Sequence, residues 1–70
     1  MQFSARNQLK GTVTAVKLGA VMAEIEVELG NGQQIVSAIT RTSAEALGLQ
    51  VGDQVIAVVK STEVMIGKEV

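Results

Sequence analysis

Residues 23–29 read Ala-Glu-Ile-Glu-Val-Glu-Leu, and this alternation of apolar and acidic residues decides the fold class. Successive side chains of a β-strand point to opposite faces, so Ile25, Val27 and Leu29 share one face and three glutamates share the other. The pattern predicts a strand with one face on a core and one face in water. The glutamates project in a row rather than converging, so we interpret them as a solvated face and not as a metal site.

The segments on either side of this strand extend the prediction to a sheet. Gly30-Asn31-Gly32 accepts positive φ at little cost, which predicts a tight reversal that pairs residues 33–40 with residues 23–29 as a hairpin. Residues 9–17 are rich in β-branched side chains and predict an earlier strand. Gly11 inside that strand indicates a bulge or a close backbone approach.

The second half of the chain predicts one short helix and two more strands. Thr42 stands three residues before Glu45, the spacing of a capping box, and the short run 44–47 ends at Gly48. After a turn at residues 51–53, a valine-rich strand over 54–60 and a short strand over 63–66 follow. We therefore predict a single all-β domain over residues 1–70, a five-stranded OB-like barrel with the helix between strands 3 and 4.

The composition argues against several classes of function. The 70 residues include no Cys, His, Tyr or Trp, so a thiol nucleophile, the commonest general base and the commonest transition-metal ligand are missing and we do not expect an enzyme. The net charge of −1 and the lone aromatic Phe3 are unlike a nucleic-acid-binding module. No apolar run reaches membrane-spanning length and no secretory signal is visible, so we expect a cytoplasmic location.

The apolar content predicts an oligomer. Hydrophobic residues make up 47% of the chain, yet a domain of this size buries only about 60% of the surface that its unfolded chain exposes. Residues 55–59 read Val-Ile-Ala-Val-Val and are apolar on both faces. We expect the outer face of this strand to contact another subunit.

Two polar segments suggest the chemistry of a ligand. Ser4-Ala5-Arg6-Asn7 precedes the first strand, and Lys60-Ser61-Thr62 follows the valine-rich strand. Arginine and lysine supply charge and serine supplies hydroxyl donors, a set that suits a fully deprotonated oxyanion. Arg6 and Lys60 together carry +2, which would neutralise a tetrahedral dianion and avoid an uncompensated buried charge.

These motifs, in their spacing, resemble the Mop family of molybdate-binding domains, the molbindins. The resemblance runs from Ser4 to Ile66. It is carried by Ser4-Ala5-Arg6-Asn7 with Gly11, by Ile39-Thr40, Ser43 and Leu47-Gly48-Leu49, and by Gly52, Val55, Lys60-Ser61, Val64 and Ile66.

The resemblance implies an assembly and a role. Mop domains are similar to OB-type barrels that exchange elements in dimers, and free-standing members assemble as hexamers, trimers of dimers. The expected oxyanion site lies between subunits, with Ser4, Ala5 and Arg6 of one chain facing Lys60 and Ser61 of another, and with Thr40 and Asn7 nearby. The expected ligand is molybdate or tungstate, held as the oxyanion without direct ligation of the metal and without any other cofactor, and the expected role is intracellular storage or buffering.

Two alternatives stay open from the residues themselves. The chain could be an OB-fold-like oligomerisation or nucleic-acid-binding module without oxyanion function. It could also prefer another tetrahedral anion such as sulfate or phosphate, because charge alone does not distinguish tetrahedral dianions.

Overall fold

The computed structural model describes residues 2–69 and shows an all-β fold with one short helix. The elements are β1 (Asn7–Leu18), β2 (Met22–Glu28), β3 (Gln34–Thr40), α1 (Arg41–Ala46) and β4 (Gln54–Val59), followed by a 3₁₀ turn at Ser61–Glu63. The strands form one antiparallel sheet in the order β3-β2-β1-β4, curled into half a barrel. The all-β class and the position of the helix between strands 3 and 4 are confirmed. No helix within residues 2–69 is long and apolar enough to cross a bilayer.

The predicted fifth strand is wrong, because the sheet has four strands. After β4 the chain enters a tight turn in which Glu63 N donates to Lys60 O at 2.9 Å. This turn takes residues 64–66 away from the sheet, and Met65 and Ile66 are 90% and 89% exposed. A strand requires a neighbour with which to exchange hydrogen bonds. None of the four strands pairs with residues 64–66, so a single chain does not close the barrel.

The alternating segment forms β2, at the interior of the sheet between β1 and β3. Ala23, Ile25 and Val27 are 2–4% exposed, while the glutamates between them face outward. On the outer face, Lys17 Nζ on β1 lies 3.5 Å from Glu24 Oε2 and 3.9 Å from Glu26 Oε2. The predicted division of this strand into a core face and a wet face is confirmed.

The reversal between β2 and β3 is also confirmed. Gly30 and Gly32 have φ of 86° and 84°, values that glycine adopts without a steric penalty. Glu28 Oε1 accepts hydrogen bonds from Gly30 N at 2.8 Å and from Gly32 N at 3.3 Å. Asn31 Oδ1 accepts from Gln33 N at 3.1 Å, which completes a hydrogen-bonded loop.

The helix begins earlier than the capping-box spacing predicted, and the prediction of Thr42 as its N-cap was wrong. The N-cap is Thr40, whose Oγ1 accepts from Ser43 N at 3.1 Å. Thr40 is both the last residue of β3 and extended in conformation (φ −69°, ψ 148°), so the helix can start at the next residue, Arg41. Ala44 on this helix is buried against the core, which also contains Val13, Ala23, Ile25 and Val27.

Strand β1 joins the two parts of the sheet. Its first half, from Asn7 to Thr12, pairs with β4, and its second half, from Thr12 to Leu18, pairs with β2. The register shifts between Val13 and Ala15, which is the irregularity of a bulge. At Gly11 an added Cβ would lie 2.5 Å from Val27 Cγ1 and 2.6 Å from Glu28 O, which confirms the predicted close approach.

We expect Gly11→Ala to destabilise the fold by about 2 kcal/mol, because the added methyl must displace the backbone carbonyl of Glu28 and the buried Val27 side chain. Urea unfolding at a fixed protein concentration measures the change. Gly67→Ala is the matched control, since an added Cβ there meets nothing within 4 Å, and we expect its effect to stay within about 0.5 kcal/mol. Equal stabilities for the two variants would contradict the close approach at Gly11.

Candidate functional site

The β1–β4 ladder brings the two predicted polar segments together in one chain. Asn7 pairs with Val59 at the end of the ladder. Ser4, Ala5 and Arg6 come immediately before this pair, and Lys60 and Ser61 come immediately after it. Antiparallel pairing therefore places the two segments at the same end of the sheet, and we call these five residues the Arg6–Lys60 cluster.

Hydrogen bonds fix the backbone on both sides of the cluster. Gln8 Nε2 donates to Ala5 O at 2.8 Å, which holds the segment that leads into β1. On the other side, Glu63 N donates to Lys60 O at 2.9 Å and Val64 N donates to Ser61 O at 3.4 Å. The two segments therefore leave the ladder in defined conformations rather than as free ends.

The side chains of the cluster face solvent in the single chain. Ser4, Arg6, Lys60 and Ser61 are exposed, while Ala5 is half-buried. The four exposed side chains all carry donors, and Ala5 between Ser4 and Arg6 adds only a methyl group. The cluster can therefore present hydroxyl, guanidinium and ammonium groups to one small acceptor-rich ligand.

The charges of the cluster are not neutralised by neighbouring carboxylates. The ion pairs among residues 2–69 join Lys17 to Glu24 and Glu26 and join Arg41 to Glu45, and none includes Arg6 or Lys60. Glu63, the acidic residue of the 3₁₀ turn, makes no ion pair with Lys60 within that part of the chain. Two cations at one end of a ladder favour the binding of an anion, because an anion reduces their mutual repulsion.

The structure separates the two remaining predicted residues. Asn7 is half-buried at the start of β1 and adjoins the cluster. Thr40 lies on β3, the opposite edge strand from β4, and pairs with Met22 beside the far end of β1. Its hydroxyl also donates to Ser43 Oγ at 2.7 Å. One chain therefore does not bring Thr40 to the cluster, and a shared site would need Thr40 from a second chain.

An apolar groove over β4 joins the apolar residues predicted for this strand to side chains that the sequence did not place beside them. It encloses about 690 Å³, and its lining includes Phe3, Leu47, Leu49, Val55 and Val58. Leu47 is 70% exposed, although it is a large apolar side chain. The Leu47-Gly48-Leu49 motif was the sequence signal for this part of the groove. Gly48 has φ of 61° and ends the helix, so one leucine lies on each side of the turn.

The titratable side chains do not form a direct metal centre. Residues 2–69 contain no group of three or more His, Cys, Asp or Glu side chains that could hold a metal ion. The donor chemistry of the Arg6–Lys60 cluster suits an anion, since arginine, lysine and serine are poor ligands for a bare cation.

Comparison with known proteins places this geometry in a family. The TOBE domain matches residues 4–66. Molybdenum-pterin-binding protein 3 of Clostridium pasteurianum is 52% identical over 66 residues, which are 94% of this chain and 97% of that protein.

Two solved structures share the whole fold. MopII from Clostridium pasteurianum, in its apo2 form, matches with a TM-score of 0.90 and 49% identity over 96% of this chain and 100% of the other. A molybdate-binding protein from Sporomusa ovata matches with a TM-score of 0.91 and 43% identity over 97% of this chain and 100% of the other. The resemblance to Mop proteins that the sequence motifs indicated is confirmed, and this chain belongs to the TOBE domain family.

Proposed function

We propose that this protein binds molybdate as an intact oxyanion and stores it in the cytoplasm. The observation that carries the proposal is the convergence of Ser4–Arg6 and Lys60–Ser61 at one end of the β1–β4 ladder, with neither cation paired to a carboxylate among residues 2–69. The relatives named for binding molybdenum-pterin or molybdate support the choice of ligand.

The donor groups of the cluster suit the acceptor oxygens of molybdate. Molybdate is a tetrahedral dianion whose oxygens accept hydrogen bonds and carry no proton to donate. Arg6 and Lys60 supply two positive charges, and the hydroxyls of Ser4 and Ser61 rotate to donate. The backbone amide at Ala5 is open to the ligand because the alanine side chain is small. These contacts hold an anion and release it unchanged, which is a binding role rather than catalysis, and tungstate meets the same requirements.

The site is completed between subunits. In the single chain Arg6 and Lys60 are exposed, so water competes for every donor. Covering the cluster with a second chain lowers the local dielectric constant and strengthens each contact to the anion. The Ser4–Arg6 and Lys60–Ser61 segments of one chain then face the ligand together, in place of the expected arrangement in which they come from different chains. Thr40 enters from the second chain.

The assembly is a hexamer, a trimer of dimers whose two chains exchange a terminal segment. Only five apolar residues among 2–69 are buried, whereas β4 has a free edge and residues 64–66 are apolar and extend into solvent. Pairing residues 64–66 with the sheet of a second chain supplies the missing fifth strand and closes each barrel. Three such dimers cover the remaining apolar groove over β4.

Storage follows from an interfacial site by mass action. A ligand that binds only the assembled form stabilises that form in proportion to the logarithm of its free concentration. The oligomer therefore fills when molybdate is abundant and releases it when the free concentration falls.

Native mass spectrometry with parallel molybdate and sulfate titrations tests the proposal directly. We expect a hexamer that gains several molybdates and ignores sulfate at the same concentration. A hexamer without bound anion would instead favour an oligomerisation module, and a monomer without a mass gain would contradict both the assembly and the ligand.

Molybdate should raise the melting temperature through Arg6. At a concentration about a hundred times its Kd, we expect a rise of about 10 °C. Arg6→Ala should weaken binding roughly thirtyfold, because a charged hydrogen-bond donor is worth about 2 kcal/mol. Thermal unfolding with and without molybdate measures both effects. Lys17→Ala is the control, since it removes the same charge near the far end of β1 and should retain the rise; an Arg6→Ala protein that also retains it contradicts the site.

Removing residues 64–70 should abolish the hexamer, because the exchanged segment is then missing. Removing residues 67–70 alone should leave the hexamer intact, which makes this shorter deletion the matched control. Native mass spectrometry and light scattering at several protein concentrations distinguish the two. If both truncated chains assembled equally well, residues 64–66 would have no part in subunit exchange.

A further inference from the structure

We propose that the Asn31-Gly32 peptide in the β2–β3 loop is a site of spontaneous covalent modification, at which Asn31 is converted to aspartate or isoaspartate at a rate that Glu28 restrains. This inference is independent of the proposed oxyanion function, because it rests only on the hairpin loop.

The reacting groups are accessible. Asn31 and Gly32 are both exposed. Gly32 has φ of 84°, and an added Cβ at this residue would meet nothing within 4 Å. The backbone nitrogen of Gly32, the nucleophile in this chemistry, therefore has no side chain of its own residue beside it.

The conversion needs only water as a co-reactant. Gly32 N loses its proton and attacks Asn31 Cγ, so that a new N–Cγ bond forms. The Cγ–Nδ2 bond then breaks, and Nδ2 leaves with the added protons as ammonia. Water opens the resulting five-membered imide at either carbonyl, giving aspartate from one cleavage and isoaspartate from the other. No oxidant or reductant takes part.

Two hydrogen bonds between Asn31 and Gln33 hold the side-chain amide that is attacked, and one of them polarises it. Asn31 Oδ1 accepts from Gln33 N at 3.1 Å, and Asn31 Nδ2 donates to Gln33 Oε1 at 3.2 Å. The first bond folds the side-chain amide back over the following backbone. It also places a donor on the oxygen that becomes negative when the nitrogen attacks, which stabilises that charge.

Glu28 acts on the nucleophile in the opposite direction. Its Oε1 accepts from Gly32 N at 3.3 Å as well as from Gly30 N at 2.8 Å. The Gly32 hydrogen bond must break before the nitrogen can attack. The carboxylate charge also disfavours the negative charge that develops on this nitrogen when its proton leaves. Glu28 therefore slows the conversion while the loop is intact.

The product changes the loop that Glu28 stabilises. A carboxylate at position 31 changes the net charge of the chain from −1 to −2 and lies between Gly30 and Gly32, the two residues whose nitrogen atoms donate to Glu28. The isoaspartyl form also adds one backbone carbon to a tight reversal whose length sets the register of β2 and β3. The modified hairpin should open at its loop end.

The chain contains its own control, because its second asparagine is Asn7. Asn7 is half-buried in β1 and paired with Val59, and its neighbour Gln8 carries a bulky side chain. The ladder holds this backbone extended, so the nitrogen of Gln8 is not free to approach the Asn7 amide. We expect no conversion at Asn7 on the time scale of conversion at Asn31.

The test is peptide mapping by mass spectrometry of the full-length protein after incubation at mildly alkaline pH, with isoaspartate detected by its enzymatic methylation. Wild-type protein should lose the Asn31 peptide and gain its aspartyl and isoaspartyl forms, together with a more acidic isoform. Glu28→Gln should convert roughly fivefold faster, which corresponds to the difference of about 1 kcal/mol between charged and neutral hydrogen bonds. Asn31→Ser keeps a short acceptor for Gln33 N and should give no acidic isoform.

Circular dichroism on each variant establishes that the sheet is intact, and the Asn7 peptide from the same digest corrects for any loss of structure. Conversion at Asn7 but not at Asn31, or none at either, would overturn the site. A Glu28→Gln protein that converts no faster than the wild type would overturn the restraint by Glu28.

Discussion

The double pairing of β1 is the constraint on which the rest of the structure depends. One strand of twelve residues pairs with β4 along its first half and with β2 along its second half. The bulge after Val13 and the absence of a side chain at Gly11 let the strand bend between these two partners. The pairing of the first half with β4 also places Ser4–Arg6 beside the end of β4. The fold and the Arg6–Lys60 cluster thus have the same cause.

Local patterns predicted most of the fold. Alternation located β2, the glycines at positions 30 and 32 located the reversal, and β-branched residues located β1, because each of these signals acts within a few residues. The errors arose where the neighbour decides the conformation. Residues 64–66 have the composition of a strand but find no partner in the single chain, and Thr42 has capping-box spacing but lies after the true N-cap, Thr40.

The sequence predicted the two polar segments of the candidate site and their chemistry, but it did not predict that one chain brings them together. The side-chain chemistry of Arg6 and Lys60 can be read from the sequence, whereas their proximity depends on the β1–β4 register, which no local pattern specifies. The same register separates Thr40 from the cluster, because β3 and β4 are opposite edges of the sheet. The apolar groove over β4 was predictable only in the part that β4 supplies, because side chains from distant segments, such as Phe3 and Leu47, complete its lining.

The position of β4 in the chain has a consequence for synthesis in the cell. Protein chains emerge from the ribosome with the N-terminus first. A growing chain therefore exposes Arg6 early, long before Lys60 exists and before β4 can pair with the first half of β1. The two halves of the Arg6–Lys60 cluster meet only after the residues up to Lys60 have been made. A growing chain that has not reached Lys60 lacks the complete donor set of the proposed anion site.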